Sequence, residues 1–470
     1  MPDQVPHKLI YERENEPLPG FYQRIKYESS DNKVEGGAIS NIFIPGRARN
    51  TFLFCRNSCL NFTMRGVDLV GTALPAAGTA TNEDNLLLSP LSMAACIKTL
   101  SVISNGKPVC QIDDYNKIAS MLLVGTASTS GSGIRSLLTG SSYVNGYDNN
   151  LIGNPTSGYG VPETGSTATK TTTPYMSFSL PLFGLLGSSV IPLQELEGSL
   201  QIQITWSNKI RDVFHVNPTA TTNEVTLSDT GGKLEFTNVS YEAATRTLTD
   251  ATYKLVSEEN NFASKHVEWS DTHYYLTSQE IPAATLTSAT RINTIVPSMK
   301  FTSLDAIYNG TFVNTDGTND ASEPANLPHL IWDECRFRVG GIEKPTNTMT
   351  TLSEYVNQTI ACTSNVNQAT SLTLMNSKYT TQNFRPEPLV TQIAARKNND
   401  RGVLGVNLRS FPEIETVSGI DSRFTTVQFE ATTKAIANAS ATPRGMNTCW
   451  VAQYCVVYVI NDGVLSMASD

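Results

Sequence analysis

The sequence predicts an all-β protein made of two similar β domains in tandem, and three observations carry that expectation. Charged residues make up 16% of the 470 residues, against about 25% in an average soluble protein; Ser, Thr, Asn and Gly fill the difference, as in β-rich chains with polar, uncharged loops. Runs of β-branched and aromatic residues bounded by turn residues recur along the chain, whereas helical periodicity occurs in two places. Those two places belong to one unit that is written twice. Length agrees, since about 100–200 residues per domain makes two or three domains the starting point.

Taken in order, residues 1–34 read as an N-terminal arm. Strands are expected from the runs NIFIPG (41–46), NTFLFC (50–55), IKTLSVIS (97–104), SLQIQITW (199–206) and KLEFTNVSY (233–241) in the first half. RINTIVP (291–297), CRFRVGG (335–341), FTTVQFEA (424–431) and VAQYCVVYVI (451–460) supply strands in the second. The stretch 125–174, poor in charge and rich in Gly, Ser and Thr, reads as one or two long surface loops, and 309–328 and 363–388 have the same character. In a sandwich, loops of that length can project from the ends without disturbing the core. The first domain is therefore placed at 35–235, a connection at 236–265 and the second domain at 266–470.

The duplication is legible by offset. In SNGKPVCQIDDYNKIASMLL (104–123) a strand stops at a turn, Gly106-Lys107-Pro108, and Ile112, Tyr115, Ile118 and Leu122 then recur at helical spacing. In VGGIEKPTNTMTTLSEYVNQTI (339–360) the apolar positions are Leu352, Tyr355, Val356, Thr359 and Ile360, and Thr351 and Glu354 form a capping-box pattern that satisfies two orphan donors at a helix start. Pro345 lies 345 − 108 = 237 residues after Pro108, and Tyr355 lies 355 − 115 = 240 after Tyr115. GVLG at 402–405 answers GLLG at 184–187, and Gly419 answers Gly198, each ahead of an amphipathic strand. Preserved order across four features points to a tandem duplication whose loops have drifted in length.

Charge and hydropathy exclude several classes. With 34 Lys and Arg against 43 Asp and Glu, the net charge is −9, so the surface as a whole attracts neither nucleic acid nor an anionic membrane, and no sequence-specific nucleic-acid binding is expected. The N-terminal residues lack an apolar stretch of the signal-peptide kind, and the longest apolar run, 449–460, falls short of the roughly 20 residues of a membrane helix; synthesis inside a cell without a signal peptide is expected. Cys55, Cys96, Cys335, Cys449 and Cys455 lie in apolar strand-like runs, where Cys behaves as a small buried hydrophobe, and disulfides are not expected. The sequons at Asn61, Asn238, Asn309, Asn357 and Asn438 carry little meaning without secretion.

No catalytic, cofactor-binding or metal-binding residue emerges. His7, His215, His266, His273 and His329 have no metal-ligand spacing, and Cys55 and Cys59 have no second pair. Ser104 and Lys107 match S-x-x-K formally, but at a strand end and without companion motifs. Asp113 and Asp114 read as helix-start acids, since neighbours on a helix point about 100° apart and acids favour the first turn. The run from Trp332 to Cys335 reads as the start of a strand. Two other classes stay open on composition: a β-sandwich adhesin or carbohydrate-binding protein, and a β-sandwich or β-barrel hydrolase, which needs a carboxylate pair in a groove.

The duplicated segments resemble a family. SMAACIKTLSVISNGKPVCQIDDYNKIASMLL in the first half, CRFRVGGIEKP and LSEYVNQ in the second, GLLGSSVIPLQELEGSLQIQITW and the C-terminal CVVYVINDGVLSM are similar to the double jelly-roll major capsid proteins of eukaryotic double-stranded DNA viruses, nearest the polinton-like virus and virophage group. The resemblance touches both halves and about a third of the chain. It implies two tandem eight-stranded jelly-roll β-sandwiches with short helices and long surface loops. It further implies a structural, non-enzymatic subunit without cofactor, whose homotrimers form pseudo-hexameric capsomers of an icosahedral virion shell enclosing double-stranded DNA. Neighbouring capsomers, penton and minor capsid proteins are the implied partners; contact with an internal membrane is left open. The inserted loops would rise as turrets or lock neighbours sideways.

Overall fold

Period-two burial builds this molecule: along Leu200–Trp206 the residues alternate between fully buried and half-exposed, the signature of a strand with one face in a core. A computed structural model describes residues 20–67, 86–88, 93–126, 160–161, 176–216, 232–260, 262, 265–282, 285, 289–296, 298–313, 329–362, 400–401, 403–409, 419–433 and 446–468. The first half forms β1 (Gly20–Glu28), β2 (Lys33–Glu35), β3 (Ile39–Ile44), β4 (Thr51–Phe54), β5 (Cys59–Val67), β6 (Leu86–Leu88), β7 (Ile97–Ser104), β8 (Lys107–Ile112), β9 (Gly160–Val161), β10 (Met176–Leu180), β11 (Val190–Pro192), β12 (Leu200–Trp206), β13 (Phe214–Val216) and β14 (Lys233–Leu248). The second forms β15 (His266–Ile281), β16 (Arg291–Ile295), β17 (Leu304–Val313), β18 (His329–Leu330), β19 (Trp332–Val339), β20 (Ile342–Met349), β21 (Asp400–Arg401), β22 (Leu404–Asn407), β23 (Val427–Thr433), β24 (Met446–Asn461) and β25 (Val464–Met467). Helices span Tyr115–Thr126, Leu185–Ser188, Asp250–Glu259 and Leu352–Cys362.

Pairing repeats between halves. β3-β12-β7-β8 is a four-stranded antiparallel sheet, and so is β16-β23-β19-β20. Opposite them, β14 is flanked by β1 on one side and β5 on the other, with β10 beyond β5, while β24 is flanked by β15 and β17, with β22 beyond β17. Each half thus sets eight corresponding strands into two facing sheets, the double jelly roll. Trp206 fills the first sandwich, stacked on Phe236 with centroids 4.0 Å apart and beside Phe62 at 5.1 Å; Trp332, Phe337, Phe429 and Trp450 fill the second. Indole N–H groups that enter a core need acceptors: Trp206 Nε1 donates to Ser40 Oγ at 2.8 Å and Trp332 Nε1 to Asn309 Oδ1 at 2.7 Å.

Three expectations change. Residues 20–28 of the arm are β1, laid antiparallel on β14 in unbroken register from Gly20 opposite Leu248 to Glu28 opposite Ser240. The first part of the connection at 236–265 is also sheet: β14 runs to Leu248 at the centre of the first half's larger sheet, and only the residues beyond it, with helix Asp250–Glu259, lead across. Its polar positions misled because they lie on the face turned away from the core, with Glu242 bound to Arg24 at 2.9 Å. The Lys-Pro pairs do not form turns but lie in strands: Lys107 and Pro108 begin β8, and Lys344 and Pro345 are the third and fourth residues of β20. Of the long loops, 127–159 and 162–175, 314–328 and 363–388 lie outside the described residues, while 309–313 belong to β17. Among the described residues no helix is long and apolar enough to cross a membrane.

Candidate assembly surfaces

The repeated unit is a hairpin feeding a helix. β7 and β8 join through Asn105 and Gly106, β19 and β20 through Gly340 and Gly341, all with positive φ, the two-residue turn whose twist suits flanking strands. β8 and β20 are the outermost strands of their sheets, where Pro removes no needed ladder bond. Asp114 starts the first helix: its carbonyl accepts from Lys117 N at 2.9 Å and Ile118 N at 3.1 Å. The capping box starts the second: Glu354 Oε2 accepts from Thr351 N at 2.9 Å, and Glu354 N donates to Thr351 Oγ1 at 3.3 Å. The N–H groups of Thr350 and Thr351 hold the Glu354 carboxyl below its ordinary value. Each helix then anchors a buried tyrosine: Tyr115 OH accepts from Phe183 N at 3.1 Å, and Tyr355 OH donates towards Met349 O at 3.3 Å. Burial pushes both phenols up.

The two jelly rolls meet along β15 and the C-terminal hairpin. Asp271 on β15 accepts from the hydroxyls of Ser188 and Ser189, and Trp269 Nε1 donates to Ser189 Oγ at 3.0 Å. His273 is buried in the same seam. Its Nδ1 accepts from Tyr274 N at 2.8 Å and lies 3.0 Å from Tyr454 OH, while Nε2 is 3.3 Å from Cys110 Sγ. Nδ1 also lies 3.1 Å from Tyr274 O, so both ring nitrogens are engaged, and the buried imidazole is neutral. Burial pushes His273 down to about 4 and the Cys110 thiol up to about 11. Further along, fully buried Leu465 donates its N–H to Ser104 Oγ at 3.3 Å, and Glu197 N donates to Gly463 O at 2.9 Å. Sequence inspection passed over this seam because its partners lie 163 residues apart for Cys110 and His273, and 361 for Ser104 and Leu465.

The candidate chemical motifs resolve into scaffold. Ser104 receives the Leu465 N–H, while Lys107 is exposed at the start of β8. Asp113 accepts from Gln111 Nε2 at 3.1 Å and Thr99 Oγ1 at 3.3 Å, whereas Asp114 turns the backbone into the helix. Burial pushes the Cys55 and Cys59 thiols up, away from the reactive thiolate. No disulfide joins any of the eight cysteines. Among the described residues, no group of three or more His, Cys, Asp or Glu could hold a metal ion. The sequon residue Asn309 is fully buried, with Nδ2 donating to Thr448 Oγ1 at 2.9 Å and Cys449 O at 3.1 Å; Asn438 lies outside the described residues.

The outward faces are where the halves differ. On the first four-stranded sheet, Gln201 and Gln203 donate amide hydrogens to Asn41 Oδ1 at 2.9 and 3.3 Å. At corresponding positions of the second sheet, Glu430 meets Arg336 at 2.6 Å, Arg338 at 3.4 Å and Arg291 at 3.5 Å, and Glu343 meets both Arg336 and Arg338 at 3.0 Å. Burial alone would raise the Glu430 carboxyl, but the hydrogen bond and charge of Arg336, with Arg338 and Arg291, outweigh it and hold it below the ordinary value. Ile295 and Ile342 are exposed near the same end of this second sheet but on opposite faces, and exposed Phe424 lies under the Arg423 guanidinium, 5.6 Å from the ring centroid.

No protein-family model matches the chain, and no curated protein matches it. Solved structures match in fold over almost its whole length. A chain of the Sputnik virophage structure aligns with a TM-score of 0.62 at 14% identity, covering 99% of this chain and 92% of that one. The Faustovirus major capsid protein gives 0.56 at 11% identity, covering 96% and 92%. The mavirus major capsid protein gives 0.55 at 10% identity, covering 98% and 92%. The structural neighbours are thus major capsid proteins of virophages and large double-stranded DNA viruses, and the likeness is one of fold.

Proposed function

We propose that this chain is a major capsid protein, a non-enzymatic structural subunit of a virion. The observation that carries the reading is the duplication of one eight-stranded sandwich, end to end, in the fold that capsid chains share. A single chain with two similar sandwiches gives a closed ring of three chains six similar corners, so a homotrimer becomes a pseudo-hexameric capsomer. Such capsomers would tile an icosahedral shell around a double-stranded DNA genome, with neighbouring capsomers and penton and minor capsid proteins as partners. The two units are then residues 20–248 and 266–468, each with its own facing sheets. A net charge of −9 suits a shell that encloses DNA without binding it over its whole surface. Neutral, buried thiols and an imidazole engaged on both ring nitrogens suit a scaffold.

The test is mass in solution by light scattering, then negative-stain imaging of the same sample. Particles of three times 51.1 kDa with hexagonal outlines are expected. A stable monomer without higher assembly at high concentration would overturn the reading.

A further inference from the structure

The 16-residue strand β24 serves two cores. One of its faces supplies Met446, Trp450 and Ala452 to the core of the second sandwich. Past Tyr454, which packs against both cores, the even-numbered residues Val456, Tyr458 and Ile460 belong instead to the core of the first. The chain then turns back at Asp462 and Gly463, both at positive φ, and Leu465 on β25 is buried in that same first core. β15 follows β24 in unbroken register, so Val267 and Trp269, opposite Ile460 and Tyr458, share this overhang.

Polar contacts fasten the overhang to the first sandwich. Leu465 N donates to Ser104 Oγ at the end of β7, at 3.3 Å, and Gly463 O accepts from Glu197 N at 2.9 Å. Gly463 lies so close to the Glu197 side chain that a Cβ would collide with it. β25 packs across β7 and β8 in this position, and Asp462 N, donating to Lys265 O at 3.1 Å, ties the turn to the residue before β15.

The dependence runs one way. Among the described residues, the second core is drawn from Ile281 to Ala452 and takes nothing from the first half, whereas the first core is drawn from both halves. β14, the matching strand of the first half, is also 16 residues long, but it leaves through Thr249 into helix Asp250–Glu259, whose Tyr253 packs back on Phe52 of its own sandwich. If the overhang lifted, Tyr458, Ile460 and Leu465 would meet water together with the first-core residues they cover, while Trp332, Phe337 and Phe429 would keep their neighbours.

We infer that the end of β24, with its hairpin, is a one-way clasp: lifting it opens the first sandwich while the second stays closed, whereas opening the second releases the clasp and takes the first with it. The chain thus has a built-in order of opening, with β7, β8 and β12 ahead of β19 and β23.

Hydrogen exchange of the full chain, resolved by peptide, tests the clasp. In Leu465→Ser, the amides of β7, β8 and β12 exchange at least about tenfold faster than in the parent, because a large-to-small change in a packed core outweighs one decade, while β19 and β23 keep the parent's rates. In Phe337→Ala, which removes a ring packed on Phe429 in the second core, exchange rises in β19 and β23 and in β12 as well. Equal rises in both sandwiches from Leu465→Ser, or no rise in either, overturn the clasp. A Phe337→Ala effect confined to the second sandwich overturns it too. Should either variant fail to fold, Ser104→Ala, which removes only the acceptor of the Leu465 N–H, and Phe337→Leu take their places, and the same outcomes decide.

Discussion

Acidification should loosen the seam between the sandwiches through His273. Both ring nitrogens are already engaged, Nδ1 by the Tyr274 backbone and Tyr454 OH and Nε2 by Cys110 Sγ, so a second ring proton creates a charge in the buried seam beside Tyr454 and Cys110. The ordinary imidazole value of 6.5 drops to about 4 in the folded chain because of burial. The unfolded chain therefore takes up the proton as pH falls below about 6.5, whereas the folded chain resists until about 4. Stability is full above that window, is lost as pH falls through it, and loses nothing more from this group below it. About 2.5 decades at about 1.4 kcal/mol each is about 3.5 kcal/mol in full, of which about 3 kcal/mol is lost by about pH 4, to order of magnitude. The assay is urea unfolding of the parent chain and of His273→Gln from about pH 7.5 to about pH 4. The parent starts more stable and loses about 3 kcal/mol more than the variant across the window. Parallel losses in the two proteins would refute the reasoning, because the acidic residues common to both would then account for all of the pH dependence.

Two smaller perturbations check the internal polar design. Asn309→Ala strands the Trp332 indole N–H in the core and should cost about 1–3 kcal/mol, whereas Asn357→Ala at an exposed sequon stays within about 0.5 kcal/mol; thermal melts of the two variants compare a buried and an exposed sequon asparagine directly. Thr351→Ala removes the side-chain half of the capping box and should lower stability by about 0.5–2 kcal/mol, with hydrogen exchange rising first in helix Leu352–Cys362.

The features that could be read from the sequence were those that depend on spacing along one strand or one helix turn. IKTLSVIS is β7 residue for residue, SLQIQITW contains β12, and Thr351 and Glu354 make the reciprocal bonds their spacing implies. β8 and β20 escaped because Pro108 and Pro345 signal a break, and only sheet position reveals that Pro sits harmlessly on an outer strand. β1 escaped because its side chains are almost all exposed, so GFYQRIKYE lacks the alternation a half-buried strand prints. The seam escaped for a different reason: Cys110, His273 and Leu465 are individually ordinary, and their meaning comes only from which element lies across them.

Duplication also explains why the two sandwiches diverge where they do. In β12 and β23 the inward residues, Leu200, Ile202, Ile204 and Trp206 against Val427, Phe429, Ala431 and Thr433, answer to a packed core and keep the same alternation. A volume error there costs several kcal/mol. The outward residues answer to neighbours instead, and there an amide ladder on Asn41 stands against an arginine and carboxylate network around Glu430. The first face is bound together by amides with Asp113 at its edge, and the second by Arg291, Arg336 and Arg338 about Glu430 and Glu343. Core packing thus holds the inward alternation in common, while the outward positions are where the two copies differ in charge.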